Sequence, residues 1–301
     1  MTNLVLSHSA KQDYDNCRRY YALARIKKIR SRRVIVPYVI GTACHAYKEA
    51  WYNGLDESQR LAALRKVFKG VDTSLMAKDE IVDLTVDQGR CEAFMYAYTL
   101  AHSEDRIQYP KLITEKEVRF EIIPGVDWLG FLDTLAQDAA GDWWVMETKT
   151  AGKAFVNKDY FDRVAIDNQV MGYMRLAAEV LGFMPKGIIY DVILKTQHRQ
   201  RKGESLSAFV KRLQHLYVKD WKTEGLFARH ELIVSPKAVD RWLTETRFIA
   251  AEIKAAHDNK IKVWPKNTGN CIAKYGACQY MSVCTTGQVD KMRFTIGKDR
   301  K

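Results

Sequence analysis

The sequence predicts an α/β fold: a mixed central sheet flanked by helices on both sides, with helical additions. Three observations carry the sheet prediction. Three extended segments follow one another at about 112–123, 128–137 and 143–149. A near-continuous apolar run, Lys186-Gly-Ile-Ile-Tyr-Asp-Val-Ile-Leu194, has the character of a strand buried on both faces. Helical patterns lie before and after these segments.

In chain order, helices are expected at about 43–53, 57–69 and 76–103, the last two sharing an apolar stripe. The strands at 112–123, 128–137 and 143–149 come next, and Ala139-Ala140-Gly141-Asp142 is a credible turn between the last two, making 128–149 a hairpin. A helix from about Ile166 to Leu181 precedes the apolar strand. A helix near 204–221, a short strand near 227–235 and a long helix near 236–259 follow. The chain has 301 residues, near the upper limit for one hydrophobic core. It shows no internal repeat, low-complexity linker or heptad run. It also lacks a Gly-x-x-x-x-Gly-Lys-Ser/Thr loop, so nothing points to an ATP-driven motor on this polypeptide.

The hairpin carries the chemistry. Gly130-Phe-Leu-Asp133 stands on its first strand and Trp143-Trp-Val-Met-Glu147-Thr-Lys149 on its second. Alternate strand residues share a face, so Glu147 and Lys149 project together while Thr148 points away. Folding about the turn is expected to set Asp133 roughly opposite Lys149. Two carboxylates that close repel unless a cation neutralises them. Hard oxygen ligands with open water positions favour magnesium or manganese over zinc. Taken alone, a Glu-x-Lys pair is an ordinary surface ladder; its pairing with Gly-x-x-Asp on the neighbouring strand gives it weight.

Gly-x-x-Asp followed by Glu-x-Lys resembles the PD-(D/E)XK nuclease superfamily, and specifically its RecB-like branch. Gln169-Val-Met-Gly-Tyr173 is similar to the branch's Gln-x-x-x-Tyr motif, and His45, in Gly41-Thr-Ala-Cys-His45, matches the histidine of its early helix. The resemblance runs from about Ser7 to Cys284. It implies a restriction-endonuclease-like core over a single nuclease domain, 1–301. A helical insertion at about 54–108 and a cysteine region formed by Cys17 and 264–288 would be added to that core. It further implies that Asp133, Glu147, the Thr148 carbonyl and His45 coordinate one or two Mg2+ or Mn2+ ions. Lys149 would position the nucleophile, with Gln169 and Tyr173 beside it holding the strand. The branch often has an acid on the strand before the hairpin, and Glu117 is the choice over Glu115 or Glu121. Independently, Gln169 and Tyr173 are four apart and share a helix face, and a neutral His45 imidazole is a competent metal ligand.

Six cysteines stand at 17, 44, 91, 271, 278 and 284. With no signal peptide or transmembrane run, a reducing, cytoplasmic setting is expected, in the host cytoplasm if phage-encoded, where structural disulfides are rare. Cys271, Cys278 and Cys284 cluster in a turn-rich loop, separated by six and five residues, and such a cluster points to a metal. Some RecB-like nucleases, including the AddB type and the CRISPR-adaptation nucleases, hold a 4Fe-4S cluster with one early and three late cysteines, which here are Cys17, Cys271, Cys278 and Cys284. Zn2+ on the same thiolates is the alternative. Cys44 and Cys91 sit in helical patterns and read as small buried hydrophobes.

Charge supplies the substrate class. Lys plus Arg number 48 against 36 Asp plus Glu, a formal +12, which attracts nucleic-acid phosphate without reading sequence. Eight basic residues and no acid lie between Arg18 and Arg33, interleaved with Tyr20 and Tyr21. A second basic run is Lys195-Thr-Gln-His-Arg-Gln-Arg-Lys202. The expectation is a metal-dependent DNA nuclease, an exonuclease on single-stranded DNA or DNA ends, in recombination, repair or phage DNA metabolism. A helicase or recombination protein would be its partner, and no membrane is involved. A structure-specific or restriction-like endonuclease would use the same residues, and digestion of circular single-stranded DNA separates the two. A non-catalytic DNA-binding recombination partner is the non-enzymatic alternative, against which the intact Asp133, Glu147 and Lys149 argue.

Overall fold

The computed structural model describes residues 3–152, 158–195, 198–223, 225–273 and 276–297. In chain order the elements are β1 (Leu4–Leu6), α1 (His8–Asn16), α2 (Arg18–Tyr21) running into a π-helical turn (Ala22–Ile26), and β2 (Ile29–Ser31). Next are α3 (Val36–Tyr52), α4 (Glu57–Lys69), α5 (Lys78–Ala101), α6 (Asp105–Gln108), β3 (Lys111–Ile123), β4 (Val126–Gln137) and β5 (Trp143–Gly152). Then come α7 (Lys158–Val164), α8 (Asn168–Leu181), β6 (Gly187–Lys195), α9 (Leu206–Asp220), β7 (Phe227–Ile233) and α10 (Pro236–Asp258). The chain ends with β8 (Ile272–Ala273), β9 (Gly276–Ala277), α11 (Met281–Thr286) and β10 (Phe294–Ile296).

Two compact units divide the chain. One holds Met1–Arg33, Arg119–Gly130 and Arg241–Lys301, the other Val34–Val118 and Phe131–Asp240. In the larger unit the strand order is β4-β5-β6-β7, paired antiparallel, parallel and antiparallel, a mixed sheet. Helices cover both of its faces. The face of Trp144 and Met146 packs into a core with Tyr47 and Trp51 of α3, Leu64 and Phe68 of α4, Phe94 and Tyr98 of α5 and Tyr217 of α9. The opposite face meets α8, whose Val170, Met174 and Ala177 are buried. Strand β6 is buried along nearly its whole length because both its faces are covered. Its first residue must be glycine, since a Cβ on Gly187 would lie 2.1 Å from the Leu232 carbonyl oxygen of β7.

Helices begin where the local chemistry allows. Helix α3 starts at Val36, seven residues before the expected 43, with Pro37 in its first turn, where a proline's missing N–H costs nothing. Asp56 and Gln59 form a capping box on α4. Asp167 caps α8 by accepting from the Gln169 backbone N–H at 2.7 Å. Helices α4, α5 and α6 fall within the stretch expected as a helical insertion.

In the smaller unit β1 pairs parallel with the 126–128 part of β4, and Trp128 packs edge-on against Trp242 of α10. Tyr21, His257 and Trp264 form a further aromatic cluster, with the Tyr21 hydroxyl 3.1 Å from His257 Nε2. Strand β2 pairs antiparallel with β10 over a small core of Leu23, Ile29, Tyr280, Val283 and Phe294. Among the described residues no helix is long and apolar enough to cross a membrane.

Candidate metal centre

All the residues of the candidate centre lie in the larger unit. Strand β5 presents Glu147 and Lys149 to α8 and Thr148 to α3, as alternation requires. Lys149 Nζ donates to Gln169 Oε1 of α8 at 3.0 Å, whereas the Thr148 hydroxyl accepts from Lys48 of α3. Strand β4 supplies Asp133. Its register corrects the expectation: Thr134 pairs with Met146, so Asp133 falls opposite Glu147, not Lys149. The cause is the loop. Asp138 is part of it, its carboxylate accepting from the Ala140 and Asp142 N–H groups and its own N–H donating to the Asp142 carbonyl, and the ladder therefore closes at Gln137 and Trp143.

Around Asp133 the ligand types converge. His45 Nδ1 lies 3.1 Å from Asp133 Oδ2, which also accepts from the Thr148 N–H at 3.4 Å. The ligand atoms of His45, Glu115 and Asp133 all lie within 4.8 Å of one another. Glu115, and not the Glu117 expected on this strand, belongs to this group. Glu115 has φ +45° inside β3. That conformation costs a non-glycine residue on the order of 1–3 kcal/mol, and such strain collects at functional sites. A strict two-residue alternation does not foresee it.

The electrostatics ask for a cation. Glu147 is 2 % exposed; one of its oxygens pairs with Lys149 Nζ, and the other is buried without a hydrogen-bond partner. Burial, and then the Asp133 charge, push Glu147 up to about 7 despite Lys149 and His45. Burial raises Glu115 too, with Asp133 adding to it. Asp133 moves the other way, because His45, Lys48 and Lys149 outweigh the burial that would raise it. Burial pulls His45 down, yet the Asp133 hydrogen bond and charge win and lift it to about 9. Three carboxylates share one positive imidazole and one ammonium here. An orphaned carboxylate oxygen and an oxygen-rich donor set suit Mg2+ or Mn2+.

Lys149 remains an ammonium: burial lowers it, but Glu147 more than compensates. The chain of donors continues along α8. Gln169 Nε2 donates to the Tyr173 hydroxyl at 2.8 Å, and burial first of all pushes that phenol far up, so it stays protonated. The expected i, i+4 pair thus stands beside Lys149, with its amide oxygen fixed toward the ammonium.

Beneath Thr148 lies a buried charge network absent from the sequence expectations. Lys48, 3 % exposed, donates to Thr148 and stands 3.7 Å from Asp191 of β6. Arg229 of β7 bonds Asp191 at 2.9 Å and Asp105 at 2.7 and 3.0 Å. The Tyr98 hydroxyl donates to Asp191, and that of Tyr52 to Asp105 at 2.9 Å. Two cations balance two anions. The sequence held one readable signal, an aspartate in the middle of the apolar Gly187–Leu194 run, since a charge is rarely buried unless paired.

The four remaining cysteines lie in the smaller unit. Cys17 Sγ accepts from the Asn267 N–H at 3.4 Å, Cys271 Sγ donates to the Asn267 carbonyl at 3.9 Å, and the Cys278 N–H donates to the Cys271 carbonyl at 2.8 Å. Cys278 and Cys284 border the same small core. Burial raises the Cys278 thiol, and Cys284, Cys271 and Cys17 add to it. Yet among the described residues the only set of three or more metal-ligating atoms within 4.8 Å of one another is His45, Glu115 and Asp133. Thiolates on one tetrahedral zinc, at about 2.3 Å from it, lie about 3.8 Å apart. No three of these four sulfurs lie that close to one another. Cys44 and Cys91 are buried, as expected.

The early basic run is partly committed to structure: Arg18 pairs with Glu252 at 3.2 Å and Arg25 with Asp13 at 2.7 Å. Of the later run, Thr196 and Gln197 lie outside the described residues. Arg201 and Gln200 bond Glu204 of the following turn.

The model of the PD-(D/E)XK nuclease superfamily matches residues 5–285. No curated protein matches the chain. A crystal structure described as a candidate exonuclease from Eubacterium rectale aligns at a TM-score of 0.54 and 11 % identity, over 95 % of this chain and 89 % of that one, a likeness of fold. A second, SSO0001, aligns over 70 % of this chain and 74 % of that one, at 15 % identity and a TM-score of 0.28.

Proposed function

The chain belongs to the PD-(D/E)XK nuclease superfamily, and from that premise we propose that it is a divalent-metal-dependent deoxyribonuclease of the RecB-like type, an exonuclease acting on single-stranded DNA or DNA ends. The observation that carries this reading is the buried, unpartnered Glu147 oxygen beside Asp133, His45 and Glu115. His45, Glu115, Asp133, Glu147 and the Thr148 carbonyl would hold Mg2+ or Mn2+. Such an ion lowers the pKa of bound water and offsets phosphate charge. Lys149, fixed between Glu147 and Gln169, would orient the attacking water and stabilise charge developing on the phosphate. Gln169 keeps the ammonium in place through its amide oxygen, and Tyr173 holds that amide from the other side.

The cysteine set Cys17, Cys271, Cys278 and Cys284 would bind a 4Fe-4S cluster. Four cysteine thiolates are the usual ligand set of such a cluster, and Zn2+ on the same thiolates is the alternative. A role in recombination, repair or phage DNA metabolism, beside a helicase or recombination partner, follows from the RecB-like resemblance.

The test is cleavage of linear DNA with Mg2+ or Mn2+, comparing the wild type with Lys149→Ala. Cleavage is expected to fall by at least about a hundredfold, as for loss of one charge-stabilising donor, while DNA binding is largely kept. Equal cleavage by both proteins removes Lys149 from the chemistry.

A further inference from the structure

We propose that Tyr38 and Gly41 of α3, together with Phe131 of β4, form a track that guides one unpaired DNA strand to the metal centre. In this track bases stack on the Tyr38 and Phe131 rings and the sugar-phosphate chain passes over Gly41. The proposal rests on the nuclease reading and adds the groups that take the strand.

Spacing sets the line of the track. Residues 38, 42 and 45 are four and then three apart, and 41 and 45 are four apart, so Tyr38, Gly41, Thr42 and His45 share one face of α3. Tyr38 lies about 10 Å along the axis from His45. On β4, Phe131 and Asp133 point to the same face, about 7 Å apart. One aromatic ring therefore precedes a metal-ligand candidate on each of two elements.

Both rings are exposed, Tyr38 by 72 % and Phe131 by 51 %, while Leu132, next to Phe131 on the strand, is fully buried. Phenylalanine has no polar atom to satisfy in water, and a flat apolar ring gains most from covering by another flat ring. Every nucleobase offers one, so such stacking is tolerant of sequence.

Gly41 is the second, independent observation. Glycine weakens the middle of a helix relative to alanine. At Gly187 the reason for glycine is visible, since a Cβ would collide with backbone; at Gly41 nothing lies within 4 Å of where a Cβ would stand. Packing within the protein gives no reason for a glycine there. The close approach of another chain's backbone does. An anionic strand also fits the charge of the molecule, +12 overall, with the Lys149 ammonium at the end of the path. A duplex keeps its bases stacked inside and cannot offer them to the rings, so the track favours unpaired DNA.

The test is binding in EDTA, where cleavage is halted, read by fluorescence anisotropy on a single-stranded oligonucleotide, an abasic oligonucleotide of equal length and a blunt duplex. Tyr38→Ala and Phe131→Ala are each expected to weaken binding of the base-bearing single strand about tenfold, leaving the abasic strand and the duplex unchanged. Gly41→Ala and Gly41→Leu are expected to keep or raise Tm while weakening both single strands, Leu more than Ala. Ring variants that bind the base-bearing strand like the wild type, or lose the abasic strand equally, overturn the stacking. Gly41 variants with undiminished binding overturn the backbone path. A wild type that cuts duplex ends but does not bind single strands overturns the track and leaves the nuclease reading standing. A wild type that neither binds nor cuts DNA sinks both.

Discussion

Glu115 and Glu117 differ by two positions in β3, yet only Glu115 joins His45 and Asp133. Loss of groups that merely orient metal ligands commonly costs 10–100-fold in affinity. Glu115→Gln is therefore expected to weaken Mn2+ binding by at least about tenfold in titration calorimetry, and Glu117→Gln to leave it unchanged. A second residue-level expectation concerns His102, whose ring is held neutral beside Tyr98 and Phe227. Burial first of all lowers it to about 4, against the nearby Asp191 and Asp105 charges. Because the folded value lies below the unfolded 6.5, the native state binds the proton less readily. That contribution to stability is complete above about pH 6.5 and is lost as pH falls toward about 4. His102→Gln should flatten this acid limb in denaturant unfolding followed across that range; an unchanged limb would assign the loss to other groups.

Elements are tied together by paired charges as much as by apolar contact. Lys48 joins α3 to β5 through Thr148 and to β6 through Asp191, one turn after His45 on the same helix. It therefore fixes the helix bearing His45 against the strand bearing Glu147. Replacing it by methionine keeps the volume but leaves two buried carboxylates with one guanidinium. The expected loss is about 3–5 kcal/mol, measured by denaturant unfolding. Lys48→Met combined with Asp191→Asn restores the balance of one cation to one anion around Arg229 and should recover part of it. The sheet elements follow their sequence closely: the strands expected at 112–123, 128–137 and 143–149 are observed at 111–123, 126–137 and 143–152. Period-two and period-3.6 patterns are local properties, so they are readable without the fold. The short pieces β1, β2, α6 and α7 carry no such period, and pairing or packing decides them.

For the whole molecule, the cysteines give the broadest expectation. A cluster ligated by Cys17 and Cys284 would close a loop through nearly the entire chain and strongly restrict the unfolded ensemble. Anaerobic purification should yield a brown protein that bleaches with oxidant, and removal of the iron should lower Tm. A colourless preparation with stoichiometric zinc decides for the alternative metal.

Sequence alone determined the α/β class, the hairpin bearing Asp133, Glu147 and Lys149, the Gln169 and Tyr173 pair and the anionic substrate class, because residue type, spacing and net charge are properties of the chain itself. Tertiary structure decided which carboxylate of β3 meets His45, which residue stands opposite Asp133, and that Lys48, Asp105, Asp191 and Arg229 neutralise one another under the centre. Those outcomes depend on backbone strain, on where a loop closes its ladder, and on charges more than 30 residues apart meeting in a medium that does not tolerate them singly.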